Sequence, residues 1–268
     1  MPEGDTIHYA AGRMRPVLAG RVPDELLTPH PRFGADRWPE RLGGRMVEGV
    51  DAYGKHLFIR FEGDLVIHSH LRMTGVWGVY EQGRRWGRSP RRAWLVLRAA
   101  GHEVVQFDGP VLELMTSARA RFDQRIAGLG PDILGPELDT PSPSAVSAGE
   151  ARFLARLRGE DPTRGIGDAL LDQRTIAGIG NVWKCEGCFA AGVDPWRATG
   201  DVSDDEALRI VRLTRPRMQE SAAQGHRSRS AAVYDRAGRP CPRCAATIAV
   251  RGQGDDNRPT FWCPGCQR

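Results

Sequence analysis

The chain reads as an α+β protein: an N-terminal β-sandwich with flanking helices, then a C-terminal helix–two-turn–helix domain that carries a four-cysteine ribbon. Three observations predict this. Short apolar runs separated by glycine turns fill the first half, and such strands need a second sheet to cover their apolar faces. After residue 147 the pattern changes to capped runs of helical period. At the end, Cys241, Cys244, Cys263 and Cys266 form C-x2-C-x18-C-x2-C, the spacing of two knuckles that set four thiolates around one structural zinc ion and so make a zinc ribbon. These shifts divide the sequence into a sandwich at 1–134, a linker at 135–147, a helix–two-turn–helix domain at 148–232 and the ribbon at 233–268.

In chain order, Ile7, Ala10, Met14, Val17 and Leu18 have helical spacing, with Asp5 or Thr6 as the cap. Residues 56–61 and 65–68 around Glu62-Gly63-Asp64 read as a hairpin, and 94–97 with 104–107 around Gly101 as another. Three prolines among serines and a threonine make 135–147 aperiodic. Ser147-x-x-Glu150 and Ser203-x-x-Glu206 are capping boxes ahead of apolar positions. Between them lie a helical run at 169–173, the turn Gly178-Ile179-Gly180-Asn181, and a second run to Phe189. Glycines there let backbone approach a bulky partner, and a helix starting at Asn181 offers open amides and a positive dipole end to a phosphate. Two packed helices joined by a glycine turn are the plainer account of the same residues. Cys185 and Cys188 share one helical face with no second pair nearby, which favours packing over metal binding.

Composition narrows the class. No apolar stretch approaches the ~18 residues of a membrane span, and the N-terminus carries Glu3 and Asp5 where a secretory signal would be basic and apolar. A cytoplasmic protein is expected, and reduced cysteines with it, which sets a disulfide account of the ribbon aside. A formal charge of +5 and a pI near 9.1 suit a polyanionic partner. All but two of the 38 basic residues are arginine; the exceptions are Lys55 and Lys184. A lysine kept at position 55 hints at a need for a compact, rotatable ammonium.

The first residues carry the sharpest chemistry. Removal of Met1 would leave Pro2 as a secondary amine beside the Glu3 carboxylate. An α-amino group titrates near pH ~8, so a useful fraction is free base at neutral pH, whereas a lysine near ~10.4 is almost fully protonated. Attack of such an amine on a sugar carbon at the aldehyde level gives an iminium ion directly. Glu3 is placed to move the protons that this requires.

Pro2-Glu3-Gly4, Gly54-Lys55, Ser69-His70-Leu71, the 178–181 turn and the terminal ribbon occur in this order across nearly the whole chain. Together they resemble the bacterial formamidopyrimidine-DNA glycosylase and endonuclease VIII family. The resemblance implies a sandwich, a helix–two-turn–helix domain and a zinc ribbon flanking a DNA cleft. It implies Pro2 as the nucleophile that attacks the deoxyribose C1′ and displaces a damaged base, Glu3 acting on the ring oxygen, and Lys55 holding a phosphate. Strand scission by β,δ-elimination then follows base removal. His70, Asn181 and Arg258 match phosphate-contacting positions, and Leu71-Arg72-Met73-Thr74 occupies the loop that fills the hole left by a flipped base, with Arg72, Met73 and Thr74 at its tip.

The lesion class divides the family. Met73 resembles the formamidopyrimidine branch, whereas Phe107-Asp108-Gly109-Pro110-Val111 stands where that branch has a second set of wedge residues. The Met-Pro-Glu-Gly-Asp-Thr opening, Gly75-Val76-Trp77 and a short 221–233 stretch resemble endonuclease VIII of actinobacterial type. The resemblance therefore implies a monomeric, nucleoid-associated bacterial enzyme of base excision repair acting on oxidised pyrimidines in damaged double-stranded DNA. The same chemistry on 8-oxoguanine and formamidopyrimidines is the alternative, and a noncatalytic zinc-ribbon DNA-binding protein is the reading from another class.

Overall fold

The computed structural model describes residues 2–33, 36–140, 142, 145–225 and 229–268. Met1, whose removal matters to the chemistry above, lies outside them, as do Pro141, Pro143 and Ser144 of the expected linker and residues 226–228 of the 221–233 stretch. Contacts divide the chain into two units, one of Pro2 with Thr6–Ala127 and one of Glu3–Asp5 with Gly128–Arg268.

The first unit is built on α1 (Gly4–Leu18), from Thr6 onward, and eight strands: β1 (Glu25–Leu27), β2 (Val47–Tyr53), β3 (His56–Phe61), β4 (Leu65–His70), β5 (Val76–Glu81), β6 (Ala93–Ala99), β7 (His102–Phe107) and β8 (Val111–Thr116). They form two four-stranded antiparallel sheets, ordered β1-β6-β7-β5 and β2-β3-β4-β8. This is the expected sandwich. Val50, Leu57, Ile59, Phe61 and Ile67 from one sheet and Leu95, Leu97 and Val104 from the other share a core with Ile7, Met14 and Leu18 of α1. The β3–β4 turn places Gly63 and Asp64 at φ 77° and 64°, and the β6–β7 turn places Ala100 and Gly101 at 49° and 69°. Both hairpins thus close through left-handed residues, which suit the twist of the paired strands. Short helices α2 (Trp38–Leu42), α3 (Ser117–Phe122) and α4 (Gln124–Ala127) complete this unit.

The second unit contains α5 (Ala148–Arg158), α6 (Ile166–Leu171), α7 (Asn181–Ala191) and α8 (Asp204–Gln224), followed by the hairpin β9 (Ala249–Gln253) and β10 (Arg258–Trp262). Both capping boxes form: Ser147 accepts from Glu150 N while Glu150 accepts from Ser147 N, and Ser203 and Glu206 do the same. Each satisfies two amides that a helix start leaves open. Residues 128–134 join this unit, earlier than the change in composition at 135, because Gly130 N donates to Gln173 O and Ile133 N to Ala177 O. Within 135–147, Pro136–Leu138 forms a 3-10 turn with Leu138 buried. α6 and α7 pack around Ile166, Leu170, Ile179 and Trp183, and Met218 of α8 joins their core. No helix among the described residues is long and apolar enough to cross a membrane.

Candidate functional site

Glu3 is the first site residue to find a definite role. It is fully buried, and its carboxylate accepts from Gly180 N at 3.1 Å, Val182 N at 2.9 Å and Trp183 N at 3.3 Å. These are amides at the start of α7, which no intrahelical carbonyl can satisfy, and the positive end of the helix dipole favours an anion there. Three of the amides at the α7 start expected to be open to a phosphate, those of Gly180, Val182 and Trp183, are therefore taken by Glu3, a correction that follows from a side chain 177 residues distant in sequence. Two sequence motifs acquire a physical reason. Gly4 donates to Gly178 O at 2.9 Å, and a Cβ at Gly4 would lie 2.8 Å from Gly178 Cα. A Cβ at Gly180 would fall on the Glu3 side chain. Glycine is required at both positions by contact, since Gly180, at φ −122°, needs no special backbone freedom.

Asn181 opens α7 and is 3% exposed. Its Nδ2 donates to Pro259 O at 2.8 Å, while its Oδ1 is buried without a hydrogen-bond partner among the described residues. The contact ties the helix start to β10 one residue from Arg258, so two candidate phosphate contacts far apart in sequence become neighbours. Arg258 itself is partly exposed and pairs with Asp256 at 3.1 Å. An exposed pair of this kind is worth little, so exchange of the carboxylate for a phosphate costs little. Lys184, the second lysine, is fully buried and donates to Thr260 Oγ1, linking α7 to the same strand; burial lowers its pKa.

The ribbon cysteines converge. All four Sγ atoms lie within 4.8 Å of one another, with Cys241 and Cys266 at 3.7 Å and Cys244 and Cys263 at 3.4 Å. A tetrahedral ion with metal–sulfur bonds of ~2.3 Å spaces its sulfurs ~3.8 Å apart, whereas a disulfide requires ~2.05 Å. The site fits a four-thiolate metal ion. Cys185 and Cys188 pack as expected: Cys185 joins the ribbon core and Cys188 the helical core, and burial pushes their thiols up, Cys185 to about 11.

In the first unit, Pro2 is half-buried. Lys55 sits on the two-residue turn between β2 and β3, where Gly54 takes φ 55°. Antiparallel register puts His56 opposite His70 and Phe58 opposite His68, so three histidines share one face. His56 Nδ1 and His68 Nε2 are 2.8 Å apart, and the His56 and His70 rings meet edge to face at 4.8 Å. Behind them His68 faces Glu113, which Arg125 holds in a bidentate pair. Burial, with Arg72, Lys55 and His68 nearby, lowers His70 to about 4, and burial with the neighbouring histidines and Arg125 lowers His56 to about 2. His68 is lowered as well, by burial against the pull of Glu113. The cluster is thus neutral at physiological pH. His70 Nδ1 accepts from Arg72 N at 3.1 Å, which leaves the proton on Nε2 as a neutral donor. His56, His68 and Glu113 were missed as site residues, although the β3–β4 hairpin, once read, already places 56, 68 and 70 on one face.

This cluster sets a pH dependence. Histidines of the unfolded chain titrate near ~6.5, above their folded values, so the unfolded chain takes up protons that the folded chain refuses. The stability held above pH ~6.5 is then lost as pH falls toward about 4 and below. We expect the unfolding midpoint to decline over that window and His56→Gln to flatten the decline. Parallel midpoint-against-pH curves for the two proteins would contradict the neutral cluster.

Arg72, Met73 and Thr74 lie together on the loop between β4 and β5, with Arg72 at φ 48° and Met73 59% exposed.

The sandwich, the helix–two-turn–helix unit and the thiolate ribbon match the domain set that the sequence resemblance implies, and comparison with known proteins agrees. The profile of the formamidopyrimidine-DNA glycosylase N-terminal domain matches residues 1–121, and that of the formamidopyrimidine-DNA glycosylase H2TH domain matches residues 140–232. A Streptomyces coelicolor protein named probable endonuclease 8 2 is 42% identical over all of this chain and 94% of its own length. The Mycolicibacterium smegmatis DNA-(apurinic or apyrimidinic site) lyase Nei2 is 35% identical over 100% of this chain and 99% of its own. A crystal structure of Lactococcus lactis formamidopyrimidine-DNA glycosylase, noncovalently bound to DNA containing an abasic site, superposes with a TM-score of 0.80 over 99% of each chain at 22% identity. The chain belongs to the formamidopyrimidine-DNA glycosylase family.

Proposed function

We propose that this protein removes oxidised pyrimidines from duplex DNA and cuts the strand at the resulting site, using Pro2 as the nucleophile. It is a bifunctional DNA glycosylase and abasic-site lyase of base excision repair, the class that its family and its endonuclease 8 and lyase relatives define. The observation that carries the chemistry is the Glu3 carboxylate, held by three α7 amides and joined through one peptide bond to Pro2. With Met1 removed, the Pro2 nitrogen forms a bond to C1′ as the C1′–base bond breaks. The proton released from the Pro2 nitrogen passes to the Glu3 carboxylate, which hands it to O4′ as the C1′–O4′ bond opens to leave an iminium ion, while the departing base takes its proton from water. The iminium acidifies C2′–H, so loss of that proton expels the 3′ phosphate; a second elimination expels the 5′ phosphate.

In this reading Lys55 is a point charge for a phosphate beside the reacting sugar, and His70 donates through Nε2–H to another. Arg258 exchanges Asp256 for a third, and Asn181 fixes the strand that carries Arg258 and contacts the backbone beside it. Arg72 and Met73 enter the stack. The four thiolates would hold zinc as a structural staple: with four sulfur ligands the ion keeps no open position, and its role is to fix the hairpin that presents Arg258. The protein acts as a monomer in the bacterial cytoplasm.

The preference for pyrimidines is supported by the 107–111 segment, which carries Asp108-Gly109-Pro110 in place of further wedge residues. Borohydride trapping on matched duplexes tests it. We expect capture on thymine glycol to exceed capture on 8-oxoguanine; the reverse order would move the protein to the purine branch.

A further inference from the structure

The loop carrying Met73 is fastened at both ends. Leu71 is buried at 2% exposure, and Gly75 N donates to Leu71 O at 2.9 Å. A Cβ at Gly75 would meet the Leu71 backbone at 2.9 Å, so the turn closes only on glycine. At the other end Arg88, from the long loop between β5 and β6, donates through Nη1 to Thr74 O at 2.9 Å and to Asp108 Oδ2 at 2.9 Å. Thr74 Oγ1 donates to Asp108 O at 3.2 Å. Asp108 is itself pinned: its carboxylate also receives Arg92 at 2.7 Å, and its amide donates to Arg92 O at 3.2 Å. It takes φ 47°, a left-handed conformation that aspartate reaches more readily than most side chains. The carbonyl and the hydroxyl of Thr74 are thus committed to the Arg88–Asp108 pair, and the two residues between the anchors, Arg72 and Met73, are exposed.

We propose that Arg88, anchored by Asp108, is a positioning residue that holds Thr74 and thereby presents Met73 for insertion as the damaged nucleotide leaves the stack. This rests on the reading of 71–74 as the wedge. A free loop would have to be ordered during insertion, at an entropic cost charged against the flipped state; the clasp orders it beforehand. The segment 107–110, which offers no second plug, serves as the fixed post for the first one. Arg88 acts through Thr74 and needs no contact with the lesion.

The test uses a duplex with a tetrahydrofuran abasic analogue next to 2-aminopurine, whose fluorescence rises on unstacking. The amplitude at saturating protein is the readout, because a change in affinity or a modest change in stability leaves it intact. We expect Arg88→Ala and Met73→Ala each to lose most of the wild-type amplitude and to slow cleavage of an abasic duplex by up to about a hundredfold, the scale of a ~1 Å misplacement of a reacting constellation. Arg88→Lys, with one ammonium for two acceptors, should recover part of the amplitude. Arg85→Ala, which removes the same charge from an exposed site of the same loop, should retain it. Full amplitude in Arg88→Ala alongside a deficient Met73→Ala overturns the clasp. Equal loss in Arg85→Ala assigns the effect to charge and overturns it too. Full amplitude in Met73→Ala removes the wedge reading and the clasp with it.

Discussion

Glu3→Gln will remove bases at a rate reduced by about 10²–10⁴, the usual contribution of a positioned acid–base group, and will also unfold at a lower temperature. The second effect follows from geometry. The carboxylate offers one oxygen to Val182 N and the other to Gly180 N and Trp183 N. A glutamine has a single acceptor oxygen, so with that oxygen on Gly180 and Trp183 its own NH2 faces the Val182 N–H, donor against donor. One buried amide is then unsatisfied and the charge at the helix dipole is lost, a cost of about 1–3 kcal/mol, or a midpoint lower by a few degrees. Single-turnover excision and a thermal scan on the same preparation check both halves. Glu3→Asp keeps the charge but retracts it by one methylene and should lose activity also. A Glu3→Gln protein with wild-type excision would leave Glu3 a helix cap and nothing more.

The second large effect concerns the amine. A chain that carries an uncleaved N-terminal extension before Pro2 has an amide nitrogen where the mechanism needs a nucleophile. It should still bind an abasic duplex within a few-fold of the processed protein, because the backbone contacts assigned to Lys55, His70 and Arg258 are untouched. Covalent trapping should fall by at least about a thousandfold, as for loss of a nucleophile elsewhere. Gel-shift affinity and borohydride capture, measured side by side, separate the two. Substantial capture by the extended chain would place the reacting amine elsewhere, with Lys55 the first alternative.

Much of this architecture was legible because its signals are local. The β3–β4 and β6–β7 hairpins announce themselves by apolar runs either side of Gly63 and Gly101, and α5 and α8 by their capping boxes. The thiolate ribbon is written as a spacing. Other elements lack such marks. β1 has three residues, only one of them buried, and a register shift between Val47 and Gly49 breaks the alternation of β2. The 128–134 segment joins the helical unit through backbone bonds to residues 173 and 177, which no composition change signals. The site divides in the same way. Pro2, Glu3, Lys55 and the cysteines were visible as types in order, but what Glu3 touches depends on a contact across most of the chain, and the same contact closes three amides at the α7 start to a phosphate. The Arg88–Asp108–Thr74 clasp joins three loops, and no periodicity points to it.

The central claim is that the terminal amine of Pro2 is the group that reacts with the sugar. It is tested most directly by reducing the complex with an abasic duplex under borohydride, digesting it and locating the deoxyribose remnant by mass spectrometry. The account predicts that the remnant lies on the nitrogen of Pro2, in a peptide that begins at Pro2. A remnant on Lys55 or on any other side chain would contradict it.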